Sequence, residues 1–431
     1  MPSETFERAI LHIDGDAFFA SCEQASHPHL KDACIVIGQE RGIASAFSYS
    51  AKARGVTRGM PIQQVRRICP EAIILPGNYE LYQKYANRMY AIVRRFTPLV
   101  EEYSIDECFA DITGMQRTHT MSYEEIGRTI KQALEDELGI TFSIGLASNK
   151  VLAKIGSTWD KPSGYTILYP SQTHRFLEQK TISGIWGIGK QTAFFLKAHG
   201  IATAYDFTQQ SRDWVIENMN KPYHDIYDEL CGRTRLHIQT NPRTIYKSIS
   251  ATHTHTPSLN NKDQLFSELS RNIERACNKA RRYNMQVCTV HIFLKDDAFT
   301  YNVIEYNLPV PTYAPSRIID HTYQYFEKIF HTGKMYRATG VTFKKLIPKQ
   351  YDQDLFGYTQ SIQKDEEITD VIDVINERYG SHALHLASSH ASFQAHTHHH
   401  ALMKQSHIST QQNRHAAELK SLYIPWIGEV S

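Results

Sequence analysis

A short apolar run that ends in acidic residues constrains this chain more than any other feature of its sequence. Residues 9 to 13 read Ala-Ile-Leu-His-Ile and are followed at once by Asp14-Gly15-Asp16. Such a run before a turn predicts a buried strand, and residues 17 to 24 then read as the start of a helix. The strand therefore carries the Asp14 carboxylate to its end. Asp16, taken alone, can equally be the cap of that helix.

A second acidic site, Asp106-Glu107, lies 92 residues after Asp14 in a strand pair predicted around residues 100 to 113. Phosphoryl transfer depends mostly on positioning and on neutralising negative charge, which two divalent ions held by carboxylates from different strands provide. Magnesium prefers oxygen ligands, and the Gly15 carbonyl can be one of them. We therefore predict that Asp14, Asp106 and Glu107 are catalytic and bind two Mg²⁺ ions, for which Mn²⁺ can substitute.

The remaining periodicity predicts alternating helices and strands. We predict strands at 34–37, 43–47 and 141–146, and helices at 48–54, 61–68, 79–96, 122–138 and 148–157. The order strand, helix, strand, strand, helix, strand is that of a split βαβ sheet. Residues 174 to 231 are mostly helical by pattern, and 248 to 347 fit a second α+β domain. These patterns predict more than one folded unit.

Length and composition bound the class of protein. A chain of 431 residues exceeds what one core usually organises. No run approaches the roughly 18 apolar residues of a membrane span, and the first residues do not resemble a secretory signal. The seven cysteines contain no C-x-x-C pair, which argues against a disulfide framework and against a cysteine zinc site. We expect a cytoplasmic monomer with no membrane contact.

The net charge of +2 conceals a basic segment. Residues 243 to 347 contain 15 Lys and Arg against eight Asp and Glu, a local net charge of +7. A concentrated positive charge is typical of domains that bind a phosphate backbone. This segment is therefore a candidate binder of a phosphate backbone.

Five short motifs, in a fixed order, resemble one known family. They are HIDGDAFFA at 12–20, SYSAK at 48–52, YSIDE at 103–107, SNKVLAK at 148–154 and KPSG at 161–164. In this order they are similar to the Y-family translesion DNA polymerases, and most closely to the DinB-like DNA polymerase IV branch. The resemblance extends over about residues 9 to 347.

The resemblance implies a fold: an α+β multidomain right hand. Its expected parts are a ferredoxin-like palm (1–18 and 78–165), small fingers (19–77), a helical thumb with a helix-hairpin-helix (166–232), a linker (233–242), an α+β little finger (243–347) and a tail (348–431). It also implies the activity: template-directed, low-fidelity translesion synthesis by two-metal nucleotidyl transfer from a dNTP to the 3′-hydroxyl of a DNA primer. By the same similarity Asp14 and Asp106 bind both metals, and Glu107 helps to hold the catalytic ion.

The resemblance further implies a nucleotide site. Phe18 and Phe19 belong to it, and Phe19 is the expected steric gate against a ribose 2′-hydroxyl; core packing is the alternative for both rings. Three residues match triphosphate contacts, and two match the roof over the templating base: these are Tyr49, Lys52 and Lys161, and then Ile43 and Ser45. The family usually has Arg where this chain has Lys52, and often Asn in place of Ser48, so the grip on the triphosphate can differ.

Three further sets of residues are expected to contact partners. In the thumb, Gly187, Gly189 and Lys190 resemble a hairpin that approaches a DNA phosphate, with a plain interhelical turn as the alternative. In the basic segment we expect backbone contacts from Arg281, Arg282, Lys344 and Lys345, with solvated charges as the alternative. In the tail, Asp354-Leu355-Phe356 resembles a sliding-clamp motif without its usual leading Gln; an apolar pair packed on the little finger is the alternative. The histidines between 382 and 407 can bind a transition metal or form a polar tail.

Three rival functions remain open at this point. The first is a catalytically inactive adaptor of the same family that acts in DNA damage. The second is another palm-type nucleotidyl transferase or cyclase, which also uses paired carboxylates and two metals. The third is a DNA-binding protein whose acidic pair is structural.

Overall fold

The computed structural model describes residues 6–240, 246–351, 358–380 and 383–394, without the side chains of Arg41, Tyr358 and Thr359. The chain divides into two compact units, Met1–Pro242 and Arg243–Ser431. Each unit has its own sheet and its own core. No helix among the described residues is both long enough and apolar enough to span a membrane.

The first unit contains eight strands and twelve α-helices among its described residues. The strands are β1 (Ile10–Gly15), β2 (Ile35–Ile37), β3 (Ala46–Phe47), β4 (Ile73–Leu75), β5 (Val100–Ser104), β6 (Glu107–Asp111), β7 (Phe142–Ala147) and β8 (Tyr165–Ile167). The helices are α1 (Phe18–Ser26), α2 (Tyr49–Ala53), α3 (Ile62–Ile68), α4 (Tyr79–Arg94), α5 (Met115–His119), α6 (Tyr123–Leu138), α7 (Lys150–Ser157), α8 (Thr173–Gln179), α9 (Lys190–Ala198), α10 (Ala204–Thr208), α11 (Arg212–Asn218) and α12 (Lys221–Leu230).

The main sheet has the strand order β5-β6-β1-β7-β8, so β1 lies in its centre. Strands β5, β6, β1 and β7 are antiparallel neighbours, as the split βαβ pattern predicts, and β8 is added parallel to β7. Because successive side chains of a strand face opposite sides, Leu11 and Ile13 pack into the core with α4 and α6, whereas Ile10 packs into the core with α7. Burial on both faces explains why this strand is apolar throughout.

The ends of the helices follow local sequence signals. Helix α6 begins with a capping box in which Ser122 and Glu125 bond each other's backbone N–H, and it ends at Gly139 in a left-handed conformation. Helix α4 begins after Asn78, whose side chain accepts the Leu81 N–H. Both helices lie close to their predicted positions because these caps and the apolar spacing agree.

A small three-stranded sheet, in the order β3-β2-β4, lies between α1 and α4 in the chain. Strand β4 pairs in parallel with β2 and was not predicted, because three apolar residues after a helix give no periodicity to measure. The helices α8 to α12 form the rest of the first unit and share a core with α7. The segment after α12 packs back on this unit, where the Gln239 N–H donates to Glu101 at 2.8 Å.

The second unit is built around a four-stranded antiparallel sheet with the order β11-β10-β12-β9. Its strands are β9 (Ser248–Leu259), β10 (Met285–Asp296), β11 (Tyr301–Thr312) and β12 (Tyr336–Pro348), and its helices are α13 (Lys262–Arg282), α14 (Pro315–Ile329) and α15 (Tyr358–Tyr379). Helices α13 and α14 cover one face of the sheet and bury a core of aliphatic and aromatic side chains. The α+β prediction for this segment agrees with these elements.

The region after residue 347 contains more structure than the predicted tail. In α15, the buried Glu366 accepts hydrogen bonds from the Thr312 hydroxyl at 2.8 Å and the Tyr313 N–H at 3.1 Å. Residues 383–394 pack on α13, where the Ser392 N–H donates to Ser267 at 3.0 Å. A description of this region as a polar tail is therefore wrong for 358–380 and 383–394; its polar residues misled the prediction because they bond to the sheet and to α13.

Candidate active site

The acidic residues of the two distant motifs meet at one end of the main sheet. Asp14 lies directly opposite Glu107 in the antiparallel pairing of β1 with β6. Ligand atoms of His12, Asp14 and Glu107 lie within 4.8 Å of one another. Asp106 lies in the tight turn before β6, and its carbonyl accepts the Gly15 N–H at 2.8 Å. The pairing of neighbouring strands therefore brings together carboxylates that are far apart in the chain.

Asp14 is a partly buried carboxylate in a crowded negative site. Burial raises its pKa to about 6; the Lys161 ammonium, which is hydrogen-bonded to it, opposes that rise, and the charges of Asp106 and Glu107 add to it. Because the negative charge is costly here, the site favours any cation that can approach. The donor set of closely spaced carboxylates fits a hard divalent ion.

Glu107 is held by two side chains that sequence reasoning did not assign. The neutral His12 ring donates from Nε2 at 3.0 Å, and the Lys154 ammonium donates at 2.5 Å. Burial by itself would raise the pKa of Glu107, but the hydrogen bonds from both partners and the positive charge of Lys154 outweigh it and lower the pKa to about 2. Burial lowers the pKa of His12 to about 4, which keeps the ring neutral, and its Nδ1 forms a hydrogen bond with the Ser157 hydroxyl at 2.6 Å. Glu107 therefore stays ionised and fixed.

The two unassigned partners of Glu107 had a weak signal in the sequence. His12 is two residues before Asp14 on a strand and therefore shares its face. Lys154 is the last residue of the SNKVLAK motif and lies on α7, which packs on that face. Only the position of α7 against the sheet, which the sequence pattern does not give, brings the Lys154 ammonium to Glu107.

Gly15 permits the close turn between the strand and α1. A Cβ atom built on Gly15 would lie 2.6 Å from the Phe18 ring and 3.5 Å from the Asp106 carbonyl. Any larger residue would therefore displace the Phe18 ring or the turn that carries Asp106. The glycine is required by packing at this point and not by an unusual backbone angle.

Asp16 does not cap helix α1. Residue Ala17 precedes that helix in a left-handed conformation, with no side-chain cap. The Asp16 carboxylate is buried and accepts the Ser143 hydroxyl at 2.8 Å and the Ser163 N–H at 2.7 Å. The capping alternative is therefore wrong, because the Asp16 carboxylate accepts hydrogen bonds from Ser143 and Ser163 and none from the first turn of the helix. Through its hydrogen bond with the Ser163 N–H, Asp16 instead stabilises the loop that carries Lys161.

The two adjacent phenylalanines have different surroundings. Phe18 is 3% exposed and belongs to the core beneath the sheet. Phe19 is half-buried; its ring stacks on Tyr82 with 4.3 Å between centroids and meets Tyr79 edge-on at 5.7 Å. A stacked aromatic cluster of this kind holds the Phe19 ring in one orientation. Because the Phe18 ring is buried in this core, we withdraw the prediction that it contacts the nucleotide.

The predicted triphosphate contacts come from two elements: Tyr49 and Lys52 lie on α2, and Lys161 lies in the loop before β8. The Tyr49 hydroxyl donates to Asp16 at 3.4 Å, and the exposed Lys52 ammonium lies 5.5 Å from the Tyr49 ring. Lys161 reaches Asp14 and lies 3.9 Å from Asp16. Tyr49 and Lys161 are therefore directly linked to the acidic residues, whereas Lys52 is linked to them only through Tyr49.

The predicted roof residues lie in the small-sheet region. Ile43 is 40% exposed and forms an isolated bridge with Pro61. The Ser45 hydroxyl donates to the Ile37 carbonyl at 2.9 Å. The backbone around them is tight, since a Cβ on Gly38 would lie 2.0 Å from the Ile43 carbonyl oxygen. The exposed side chain of Ile43 leaves it available for contact.

The glycine turn in the helical region begins α9. Gly187 has a φ of +87°, which favours glycine, and Gly189 is the N-cap residue of α9. Lys190 is the first residue of that helix and is exposed. Next to the turn, the Trp186 ring donates its N–H to the Tyr103 hydroxyl at 3.0 Å. The turn is thus joined to the strand that leads to Asp106.

The predicted DNA contacts of the second unit have unequal surroundings. Arg281 lies on α13, and its guanidinium makes a paired hydrogen bond with Asp373 of α15 at 2.6 and 2.9 Å. We therefore withdraw the prediction that Arg281 contacts DNA, because its positive charge is already paired with Asp373. Arg282 and Lys345 are exposed, and Lys344 is paired with Glu305 at 2.6 Å. Asp354, Leu355 and Phe356 lie outside the described residues.

Comparison with known proteins identifies the family. Residues 13–158 match the impB/mucB/samB family, and residues 246–355 match the C-terminal domain of that family. The chain is 31% identical over 379 residues to DNA polymerase IV of Desulfatibacillum aliphaticivorans, covering 87% of this chain and 95% of that protein. It is 32% identical over 389 residues to DNA polymerase IV of Bacillus velezensis, covering 88% and 92%.

A solved structure gives the fold independently. A Y-family DNA polymerase chimera of Dbh and Dpo4 matches with a TM-score of 0.69 at 22% identity, covering 79% of this chain and 100% of that chain. The predicted α+β right-hand fold class is thereby confirmed. Together with the relatives, this match shows that the chain belongs to the Y-family of DNA polymerases, in the DinB-type branch.

Proposed function

We propose that this chain is a template-directed DNA polymerase that performs low-fidelity translesion synthesis, adding a nucleotide from a dNTP to a primer 3′-hydroxyl. The observation that carries the proposal is the convergence of Asp14, Asp106 and Glu107 at one end of the main sheet. A structural acidic pair does not need three carboxylates in one crowded, partly buried site, because their mutual repulsion is costly. A metal-dependent nucleotidyl transferase does need them.

Two Mg²⁺ ions fit this donor set, with Mn²⁺ as a substitute. Asp14, Asp106 and Glu107, with the Gly15 carbonyl, would hold them. When bound, the ions would supply the charge that stabilises the attacking and leaving oxygens of the phosphoryl group. The residues of the chain prepare the site, since His12 and Lys154 keep Glu107 ionised and Asp16 fixes the loop of Lys161.

The nucleotide is proposed to lie between the acidic residues and the small sheet. Lys161, Lys52 and Tyr49 would donate to the triphosphate, which requires the Lys161 ammonium to exchange Asp14 for a phosphate oxygen. Phe19, held by its stack on Tyr82, would face the sugar as the steric gate. Ile43 and Ser45 would border the templating base.

The structure also supports a proposal for the parts of the hand. Residues 1–18 and 78–165 would form the palm, 19–77 the fingers, 166–232 the thumb, 233–242 the linker and 243–347 the little finger. Primer-template DNA would contact Gly187, Gly189 and Lys190 of the thumb, and Arg282, Lys344 and Lys345 of the little finger. Docking of 354–356 on a sliding clamp, a monomeric state and a cytoplasmic location stay predictions.

Primer extension tests the proposal directly. The full chain should extend a primer on an undamaged and on a lesion-bearing template in Mg²⁺, and Asp14→Asn, Asp106→Asn and Glu107→Gln should each nearly abolish turnover. Glu102→Gln is the matched control: it changes an acid in the same strand pair whose partner is Arg94. Its activity should remain at the wild-type level.

The same assay separates the rivals. Template-independent consumption of a nucleotide would indicate a cyclase or another transferase. Primer-template binding without extension by the wild-type chain would indicate an inactive adaptor. Either result contradicts the polymerase proposal, provided that the variants and the wild type have the same circular dichroism spectrum.

A further inference from the structure

A second cluster of metal-binding residue types lies in the other unit, between β9 and α13. His253 and His255 are on the strand, and Glu268 is on the helix. One ligand atom from each of the three residues lies within 4.8 Å of the other two. The cluster belongs to a different compact unit from Asp14, Asp106 and Glu107, so it is independent of the proposed polymerase site.

The strand register explains why both histidines face the helix. Residues two apart on a strand share a face, and Ile249 and Ala251, which precede the histidines on this face, are buried under α13. His255 is 6% exposed, whereas His253 is only half-buried. The two rings are 5.2 Å apart at nearly a right angle. One imidazole is thus inside the cluster, and the other borders the solvent.

Glu268 occupies a position on α13 that the helical repeat assigns to the core. Leu265 and Asn272 are three and four residues away on the same face, and both are buried. Glu268 itself is 3% exposed. A carboxylate at such a position is costly unless a cation or strong donors compensate for its charge. The side chains that it meets on β9 are imidazoles.

We propose that His253, His255 and Glu268 bind a Zn²⁺ ion. Two imidazoles and one carboxylate are a zinc ligand set that keeps a fourth position for water. Tetrahedral bonds of about 2.0–2.2 Å place ligand atoms about 3.4 Å apart, which small side-chain rotations reach from the present spacing. The half-buried His253 gives the ion a path from solvent.

An ion pair alone is the competing explanation. The Arg271 guanidinium lies 4.0 Å from Oε2 of Glu268, which is beyond hydrogen-bond distance. The Arg271 guanidinium also lies over the Phe393 ring, with 5.1 Å between its central carbon and the ring centroid. A carboxylate has two oxygens, so that Glu268 can face Arg271 with one and ligate a metal with the other. The two explanations differ in whether added zinc changes the protein.

A bound ion would join the edge strand β9 to helix α13, which covers the sheet. Within the described part of the second unit, strand β9 pairs on one side only, with β12. Anything that binds the folded state and not the unfolded chain raises stability by mass action. Zinc should therefore raise the melting temperature of the wild-type chain, and the rise should depend on the concentration of free zinc.

The decisive experiment measures zinc binding by the full chain in millimolar Mg²⁺, with a chromophoric chelator as competitor. Glu268→Gln, which keeps the shape of the side chain, should lose one equivalent of tight zinc, with affinity at that site falling by about 100-fold or more. Substitution of the tail histidines 396 and 398–400 by Gln should leave this equivalent in place. His331→Gln, at an exposed position of the same unit, is the matched control.

A measurement on the wild-type chain makes the test independent of variant folding. Diethylpyrocarbonate modifies accessible histidines, and peptide mass spectrometry locates each one. Zinc should protect His253 while leaving His331 reactive. The proposal is overturned if His253 reacts equally with and without zinc. It is also overturned if the tail variant loses all tight zinc, or if Glu268→Gln binds as much zinc as the wild type.

Discussion

At the scale of single residues, the Lys154 ammonium is the charge that keeps Glu107 ionised beside Asp14. Replacing it in Lys154→Gln should raise the pKa of Glu107 toward its ordinary range, because one of its two stabilising partners is lost. We expect kcat to fall about 10-fold, as for the loss of an outer partner of a metal ligand, and the Mg²⁺ requirement to rise. Steady-state extension at varied Mg²⁺ measures both. Lys84→Gln, an exposed helix lysine, should change neither.

The adjacent Phe18 and Phe19 offer a matched pair of substitutions. Phe19→Ala should raise ribonucleotide incorporation relative to deoxyribonucleotide incorporation by roughly 10- to 100-fold, because a clash with the 2′-hydroxyl is removed. Phe18→Leu should lower the melting temperature and leave that ratio unchanged, because Phe18 is a core residue. Single-nucleotide insertion kinetics measure the ratio. An unchanged ratio in Phe19→Ala would assign that ring to packing alone.

At the scale of elements, the contact of residues 383–394 with α13 depends on Glu274. Its carboxylate accepts the Ser389 hydroxyl at 2.7 Å and the Leu386 N–H at 3.3 Å. Burial nevertheless raises its pKa to about 7. A raised pKa means that the folded state binds the proton more tightly than the unfolded chain. The stability contributed by the neutral form is therefore present below about pH 4.5 and is lost as the pH rises through 7.

Glu274→Gln should reverse that loss. The amide oxygen can accept the same two hydrogen bonds and carries no charge at any pH. The variant should match the wild type near pH 4.5 and be more stable at pH 8, by about 3 kcal/mol. Chemical denaturation at the two pH values measures the difference. Equal stability at pH 8 would show that the carboxylate is ionised there at no cost.

At the scale of the whole molecule, DNA binding should depend on salt through the basic second unit. Lys344→Gln with Lys345→Gln should reduce the slope of log affinity against log salt by between ~1 and ~2, since each phosphate contact contributes about one. The smaller value applies if Lys344 stays with Glu305. Fluorescence anisotropy with a labelled primer-template at several salt concentrations measures the slope.

Arg281→Gln is the control for that experiment. Because Arg281 is bonded to Asp373, its loss should lower the melting temperature and leave the salt slope unchanged. A reduced slope of log affinity against log salt in this variant would indicate that Arg281 contacts DNA. The comparison thus separates a charge used for folding from charges available to a phosphate backbone, a distinction that a count of basic residues does not make.

The main sheet illustrates how much of the fold could be predicted. Strands β1 and β7 and helices α4 and α6 have periodic apolar residues and clear end signals, so their positions were predictable. Strands β4 and β8 have three residues each and were missed, because each pairs in parallel with a strand distant in sequence and so lacks the hairpin signal that predicted the equally short β2. Helix α15 was missed because its Glu366 and Asp373 look like solvent-exposed residues until the partners on the sheet and α13 are known.

The acidic site, like the main sheet, has features that the sequence predicts and features that only the structure shows. The sequence by itself determined the family and the class of reaction, and it predicted the acidic residues, because short motifs in a fixed order identify the chemistry. Only the tertiary structure decided that His12 and Lys154 hold Glu107, that Asp16 fastens a loop, that Arg281 is occupied, and that two histidines meet a buried glutamate. Each of these depends on which distant elements pack together, and that is set by strand pairing and core packing over the whole unit, beyond the reach of any local pattern.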